Sequence, residues 1–435
     1  MISALYRPIA AKGYNLVIKP SIKLEKLLCD DYIDSLRKAL TLRLPPCEVE
    51  RVCNRALSYR QSVEKLLTVK PKRERLYVKL RVLDDNMGDS QMAQNENSQL
   101  QSEFQSLIDL ENTLEKELVP FYLSLPNLLI PDKASEDDEI IKIFHEPWSF
   151  TFKIQSFVKL SYINFGHHST IIGPSSKYTV GAGVQTQRKL LKFTTDFLSS
   201  RGFISVNGLD IVKSALVEAC RGSGQSNLLV APSRILNVES DTNNQKHHLV
   251  GNGSLESIMG LLSQKSLLPE SLPLRLMTNG SQYTETLEQV NGVHFLIWLD
   301  CNCVAEDEMN SILNEWCEFY SNLELPSKLV RKGSKFLSKN EADRYEIQTW
   351  LPYSNCWKTC SQISYHGYHT PRRIGKENML IEGSFIDLDV LLASIMENNQ
   401  KEDGTFSIPN ALEEGAQEQE KFQDNRGEKM HKDFR

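Results

Sequence analysis

The sequence predicts an α+β fold in which an N-terminal antiparallel coiled-coil arm precedes an antiparallel sheet flanked by helices. Three observations carry this. Two long stretches of helical apolar period meet at a polar tip. From about residue 141, strand-like and helix-like segments alternate. The composition, 40% hydrophobic and 24% charged, is that of a globular chain. At roughly 150 residues per domain, 435 residues allow two or three domains.

In the arm, Val49, Val52, Ala56, Val63 and Leu66 recur at three-, four- and seven-residue steps, which predicts a helix over about 46–83 with one buried stripe. Pro71 should kink it. The stretch 84–97 has Gly88, several Asn and Gln and no apolar period, and is expected to form the hairpin tip. A second helix carries Leu100, Phe104, Leu107, Leu114, Leu118 and Phe121 and should end before Pro126. The arm is placed at about 46–122 within an N-terminal region of 25–125. Its charge is lopsided: Lys65, Lys70, Lys72, Arg73, Arg75, Lys79 and Arg81 fall within 17 residues that contain one acid, Glu74. These seven cations are the candidate RNA-binding residues, because lysine and arginine on phosphates release counterions. The alternative is interhelical pairing with Glu103, Asp109, Glu111, Glu115 and Glu117 of the second helix.

The main domain is assigned to 126–412. Helices are expected at 185–201 and 308–321, and strands at 202–206, 274–277, 292–299, 346–350 and 379–381, each rich in apolar or β-branched residues. The segment 413–435 is dense in charge and nearly free of apolar residues, the composition of a disordered tail. Residues 1–24 have the character of a mitochondrial transit peptide: Arg7, Lys12, Lys19 and Lys23 lie among apolar residues, ahead of the first acid, Glu25. A solvated N-terminal arm is the alternative.

The net charge of -6 excludes a chain that grips nucleic acid over its whole surface, so any RNA contact must be a local patch. No apolar run approaches the roughly 20 residues of a membrane-spanning helix, and no membrane partner is expected. The nine cysteines lack paired zinc-ribbon spacing, and Cys301, Cys303, Cys356 and Cys360 are expected as small buried hydrophobes. His247, His248, His366 and His369 likewise lack ligand spacing, so neither metal nor cofactor is expected.

An ordered series of short motifs resembles the seryl-tRNA synthetases. It comprises Leu125-Pro126-Asn127-Leu128 with Ile130-Pro131-Asp132 after the arm, then Gly222-Ser223-Gly224-Gln225, then Leu272-Pro273-Leu274-Arg275. Tyr345 to Pro352, Arg372-Arg373, and Glu397 to Gly404 with Ile408, Pro409 and Leu412 complete it. The resemblance covers nearly the whole chain from the arm to Leu412. It implies a class II aminoacyl-tRNA synthetase-like core with a six- or seven-stranded antiparallel sheet, a dimer built on motif 1 at about 173–212, and an arm that holds tRNA. The motif 1 proline of the family appears here as Leu209. Arg372 and Arg373 are either a remnant of the family site or structural salt-bridge formers, and the structural role is favoured.

The chemistry implied by the family is depleted at the matching positions. The arginine placed on the α-phosphate in motif 2 corresponds to Thr284, and that placed on the γ-phosphate in motif 3 to Val390. By the same resemblance the metal-holding carboxylate corresponds to Thr359, the asparagine of the family's Ser-Ser-Cys-Ser-Asn strand to Tyr365, and the serine-receiving Thr-x-Glu step to Asn252 and Ser254. There is no Lys or Arg from Leu276 to Asp300 or from Glu377 to Gln400. Since developing charge must be met by fixed donors, the expectation is a non-enzyme without catalytic residues. The resemblance then implies a non-catalytic paralogue in the mitochondrial matrix, expected to pair with mitochondrial seryl-tRNA synthetase as a heterodimer and to help bind mitochondrial serine tRNA. The alternatives are an active or repurposed ATP-dependent amino-acid ligase, or a matrix interaction protein that does not bind RNA.

Overall fold

The computed structural model describes residues 20–85, 91–130, 135–164, 177–221, 236–238, 247–263, 269–283, 289–300 and 305–414. The N-terminal region is helical: α1 (Asp30–Thr41), α2 (Pro46–Ser58), α3 (Arg60–Asp85) and α4 (Gln91–Ser124). Strand β1 (Glu139–His145), α5 (Phe157–Ser161), β2 (Tyr162–Asn164) and β3 (Lys177–Thr179) lead to α6 (Ala182–Ser200). Then come β4 (Ile204–Ser205), β5 (Ile211–Lys213), α7 (Ser214–Arg221), β6 (Leu236–Val238), β7 (His247–Leu249) and α8 (Leu255–Ser263). The remainder is β8 (Leu274–Tyr283), β9 (Gln289–Leu299), α9 (Ala305–Asn322), β10 (Ser327–Arg331), β11 (Asp343–Leu351), β12 (Cys356–Gly367), α10 (His369–Arg373), β13 (Met379–Asp387), α11 (Leu388–Asn398) and α12 (Ala411–Glu414).

The apolar stripe read from the arm is the one that packs: Val49, Val52, Ala56, Val63, Leu66, Leu114, Leu118 and Phe121 are buried in one cluster with α1. Two details differ from expectation. The first stretch is two helices separated at Tyr59, and α3 then runs without a break through Pro71. The second helix starts at Gln91, well inside the expected tip, because glutamine, methionine, alanine and glutamate favour a helix even without an apolar period. It also continues through Pro120.

The main sheet has eight strands in the order β1-β10-β11-β12-β13-β9-β8-β4. All neighbours pair antiparallel except β4, which runs parallel to β8. The sheet is thus one or two strands wider than the family resemblance implied. One face is closed by α6, α9 and α11 over an aromatic core, in which the ring centroids of Phe319 and Phe385 lie 5.0 Å apart. On the other face Leu274, Leu276, Leu296, Trp298 and Leu380 pack with α7, α8 and two residues of the arm base, Val119 and Leu123.

Arm and sheet are tied by hydrogen bonds. The Asn127 amide donates to the carbonyls of Asn340 at 2.9 Å and His366 at 2.8 Å, and Arg43 donates to the Glu341 carbonyl at 2.7 Å. At the opposite end of the sheet, Glu397 accepts from the backbone of Phe157 and Tyr353, and Asn398 donates to the Trp350 carbonyl. The motifs that carried the resemblance at Asn127 and at Glu397 to Gln400 are therefore joints of the fold. Ser21 and Leu24 already belong to this body: Ser21 N donates to the Arg372 carbonyl at 2.7 Å and Leu24 is buried. The expected disordered tail from residue 415, the expected transit peptide up to residue 19, Gly222 to Gln225, Cys301 and Cys303 lie outside the described residues.

Candidate functional site

Side chains alternate across a strand, so the core residues of one face fix what the other face presents. Tyr345 and Ile347 of β11, Ile363 of β12, Ile381 and Phe385 of β13, Val293 and Phe295 of β9 and Met277 of β8 point into the aromatic core. Their neighbours Arg344, Glu346, Gln348, Gln362, Ser364, His366, Glu382, Ser384, His294, Thr278 and Gln282 therefore share the face away from α6, α9 and α11. These residues make part of that face polar on five strands, beside the apolar patch that packs with α7 and α8.

It holds two connected networks. In one, Arg344 lies 3.3 Å from Glu346 and 3.5 Å from Glu341, and Lys332, just past β10, contacts Asp138 and stands 4.0 Å from Glu346. Thr359 donates to Glu346 at 2.9 Å, and Ser364 donates to Glu341 at 2.6 Å. Burial pushes the Glu341 carboxyl up, but Arg344 and the hydrogen bonds from Ser364 and Ser338 outweigh it and hold the group below the usual carboxylate range. His366 reaches Glu382 at 3.2 Å and Thr370 at 2.9 Å.

The second network joins the loop before α8 to β8 and β9. Asn252 Oδ1 accepts from Ser281 N at 2.8 Å, Gly253 N donates to Ser281 O at 3.0 Å, and Gln282 bridges the Gly253 carbonyl at 3.0 Å and His294 Nδ1 at 3.1 Å. This close approach depends on glycine at two positions: a Cβ at Gly280 would sit 2.3 Å from Asn252 Oδ1, and one at Gly253 2.5 Å from His294 Cδ2. Glu256, on the next turn, is fully buried.

The positions singled out in the sequence are scattered over these elements. Asn252 is structural, as described; Ser254 is buried and its hydroxyl accepts from Ser257 N, closing the first turn of α8. Thr359 is exposed at the rim beside Glu346, so a carboxylate does stand next to the position where one was missed. Val390 packs against the aromatic core, and Tyr365 donates to Met379 Sδ at 3.4 Å. Thr284 lies outside the described residues. Arg373 donates to the Leu123 carbonyl, and Arg372 lies over the Tyr368 ring at 4.7 Å and 3.5 Å from Glu377. Arg373 thus holds the arm base to the core, and Arg372 shares Glu377 with Lys23 of the N-terminal segment. Among the described residues, no three His, Cys, Asp or Glu side chains are grouped to hold a metal ion.

On the arm, the seven cations divide into two sets. Lys70 pairs with Glu115 at 2.7 Å and Arg73 with the buried Glu111 at 3.1 Å, across the helix pair. Lys65, Lys72, Arg75, Lys79 and Arg81 are exposed. Helical spacing alone could not separate the sets, because the register between α3 and α4 is a tertiary fact.

The groups that sequence reasoning missed are Arg344, Lys332, Glu346, Glu382, His294 and Gln282. The period-2 alternation of Arg344, Glu346 and Gln348 was the available signal. A search for cations within motifs 2 and 3 alone passes over a neighbouring strand.

A helical arm joined to a mostly antiparallel sheet with one polar face is the architecture of a class II aminoacyl-tRNA synthetase. The solved structures bear this out. The fold matches the seryl-tRNA synthetase of Pyrococcus horikoshii complexed with ATP with a TM-score of 0.71 at 15% identity, covering 90% of this chain and 97% of that one. It matches the cytoplasmic serine-tRNA ligase of Naegleria fowleri in complex with AMP with a TM-score of 0.70 at 13% identity, covering 91% and 97%. By sequence, the chain is 23% identical to the mitochondrial serine–tRNA ligase of Mus musculus over 417 residues, 86% of this chain and 79% of that protein. It is 26% identical to the serine–tRNA ligase of Helicobacter pylori strain HPAG1 over 348 residues, 73% and 79%. No protein-family profile matches. The chain is seryl-tRNA synthetase-like.

These findings correct the expectation of a non-enzyme. The sequence relatives are named as ligases and the structural neighbours are seryl-tRNA synthetases with ATP and AMP, which points to a ligase. The expectation weighed the cations of motifs 2 and 3 and the pair Arg372-Arg373, whereas Arg344 and Lys332 stand on the polar face from β11 and the end of β10.

Proposed function

We propose that the chain is an ATP-dependent ligase of the serine–tRNA ligase kind that works in the mitochondrial matrix, receives serine tRNA along its arm and reacts on the polar face of the sheet. The observation that carries this reading is that the similarity to named ligases spans arm and sheet together, 86% of the chain for the mouse mitochondrial protein. In the proposed first step a serine carboxylate oxygen attacks the α-phosphorus of ATP and pyrophosphate leaves. In the second, a terminal ribose hydroxyl of tRNA attacks the acyl carbon and AMP leaves.

Among the described residues, Arg344 and Lys332 are cations on that face able to meet the phosphates. Both are engaged with Glu341, Glu346 and Asp138. Nucleotide binding must exchange those carboxylates for phosphate, so weak ATP affinity is expected. The exposed arm cations Lys65, Lys72, Arg75, Lys79 and Arg81 contact tRNA phosphates in this reading. Pairing occurs through the motif 1 surface, where Leu209 is 64% and Ile211 49% exposed, with a mitochondrial seryl-tRNA synthetase subunit. Co-purification from mitochondria tests the partner: recovery of the chain free of any seryl-tRNA synthetase subunit would count against it. Serine-dependent charging of mitochondrial serine tRNA tests the activity.

A further inference from the structure

On the polar face of the sheet, Glu341 and Glu346 each have Arg344 as a counter-ion. Glu382 of β13 differs: among the described residues its ion-pair partner is neither Lys nor Arg but His366, whose Nε2 lies 3.2 Å from Glu382 Oε1.

The protonation of that histidine follows from Asn340. The Asn340 amide nitrogen donates to the Cys220 carbonyl at 3.2 Å and stands 3.2 Å from His366 Nδ1. Nδ1 is therefore an acceptor, and Nε2 carries the proton that it donates to Glu382. His366 is fully buried and neutral in this arrangement, so it orients the carboxylate without cancelling its charge.

Glu382 is not solvated like a surface acid either. Its side chain is 23% exposed, and the strand register sets it between Ser364 of β12 and Leu296 of β9. Leu380, two residues back on the same strand face, belongs with Leu296 to the apolar patch. A charge that has given up most of its water and has no counter-ion is costly until a cation is brought to it.

We infer that Glu382 binds the ammonium group of the amino-acid substrate, an inference that rests on the ligase reading. An ammonium has three N–H donors and needs only acceptors. Glu382 supplies the charged one. Gln362 and Ser384, paired with each other two residues further along β12 and β13, carry neutral oxygens on the same face. The position also suits the reaction. Arg344 pairs with Ser364 from the far side of β12 and so stands two strands from Glu382. At the usual strand spacing that is about 10 Å. An amino acid held by its ammonium at Glu382 can then turn its carboxylate towards phosphates at Arg344.

Equilibrium dialysis of the full chain against radiolabelled L-serine tests this, with Glu382→Gln as the variant and 3-hydroxypropanoate, which is serine without its amino group, as a competitor. Glutamine keeps the size and the acceptor that His366 needs, so the urea midpoint should not fall. Serine affinity should drop by about 10- to 100-fold, the loss of a charge-assisted hydrogen bond, while ATP affinity does not drop. On the unsubstituted chain, 3-hydroxypropanoate should displace labelled serine about tenfold less effectively than unlabelled serine does. Unchanged serine binding by Glu382→Gln, competition by 3-hydroxypropanoate equal to that of serine, or no serine retained by the unsubstituted chain overturns the inference. Pyrophosphate exchange that continues in Glu382→Gln with an unchanged KM for serine also overturns it and leaves the ligase reading standing. Serine binding that depends on Glu382 but is accompanied by no exchange does the reverse.

Discussion

Neutralising the exposed arm cations should separate RNA contact from arm stability. The quadruple variant Lys72→Gln, Arg75→Gln, Lys79→Gln, Arg81→Gln removes four charges that the fold leaves in solvent. Each phosphate-bound cation contributes about 0.9 to the slope of log K against log salt, so the slope should flatten by about three to four. Over a change from about 50 to 200 mM salt that corresponds to about a 100-fold smaller loss of affinity than the unsubstituted chain shows. The paired variant Lys70→Gln, Arg73→Gln should behave differently. It strips Glu111, buried against Arg73 at 3.1 Å, of its partner and should cost about 3 kcal/mol of stability. Filter binding of a serine tRNA transcript across salt gives the first quantity and urea unfolding the second. Parallel salt lines for the quadruple variant and the unsubstituted chain would refute the assignment of the arm to RNA.

Arg275 donates to Glu308 at 2.6 Å and Glu315 at 2.8 Å, and Arg275→Met should lower stability by about 3 kcal/mol in urea titration by orphaning two mostly buried carboxylates. Lys339 is pushed down to about 7 from 10.5 by burial and by Arg373. The unfolded chain thus binds that proton more tightly, so stability should rise as pH increases from about 7 towards 10.5, and Lys339→Met should flatten the rise in urea midpoints across that range. Leu209→Asp should shift a mixture of the chain with the mitochondrial seryl-tRNA synthetase subunit towards monomers in light scattering, because a charge replaces an exposed apolar contact of the proposed interface. Gly253→Ala should reduce ATP binding in isothermal titration, since its methyl group would displace His294.

The arm was legible in the sequence because one stripe, from Val49 to Phe121, does both local and tertiary work: the same residues set the helical period and fill the core. The strands at 274–283, 289–299 and 343–351 were legible as apolar runs, though each extends further than its run. Polar residues such as Thr278, Gln282 and Arg344 belong to the strands precisely where one face is not core, and period alone trims them away. The site was less legible for the same reason. Asn252, Ser254 and Val390 were judged by the residues they replace, whereas their neighbours in space, Ser281, Ser257 and the aromatic core, are distant in sequence or belong to packing. Glu346 beside Thr359 shows the cost: a carboxylate missing from one strand is supplied by the next.

Serine-dependent ATP–pyrophosphate exchange by the purified chain is the most direct measurement. Exchange above background, requiring ATP at high concentration and falling further in Arg344→Gln, is the expected result. A folded preparation that retains serine tRNA yet gives no exchange at saturating serine and ATP would contradict the ligase assignment.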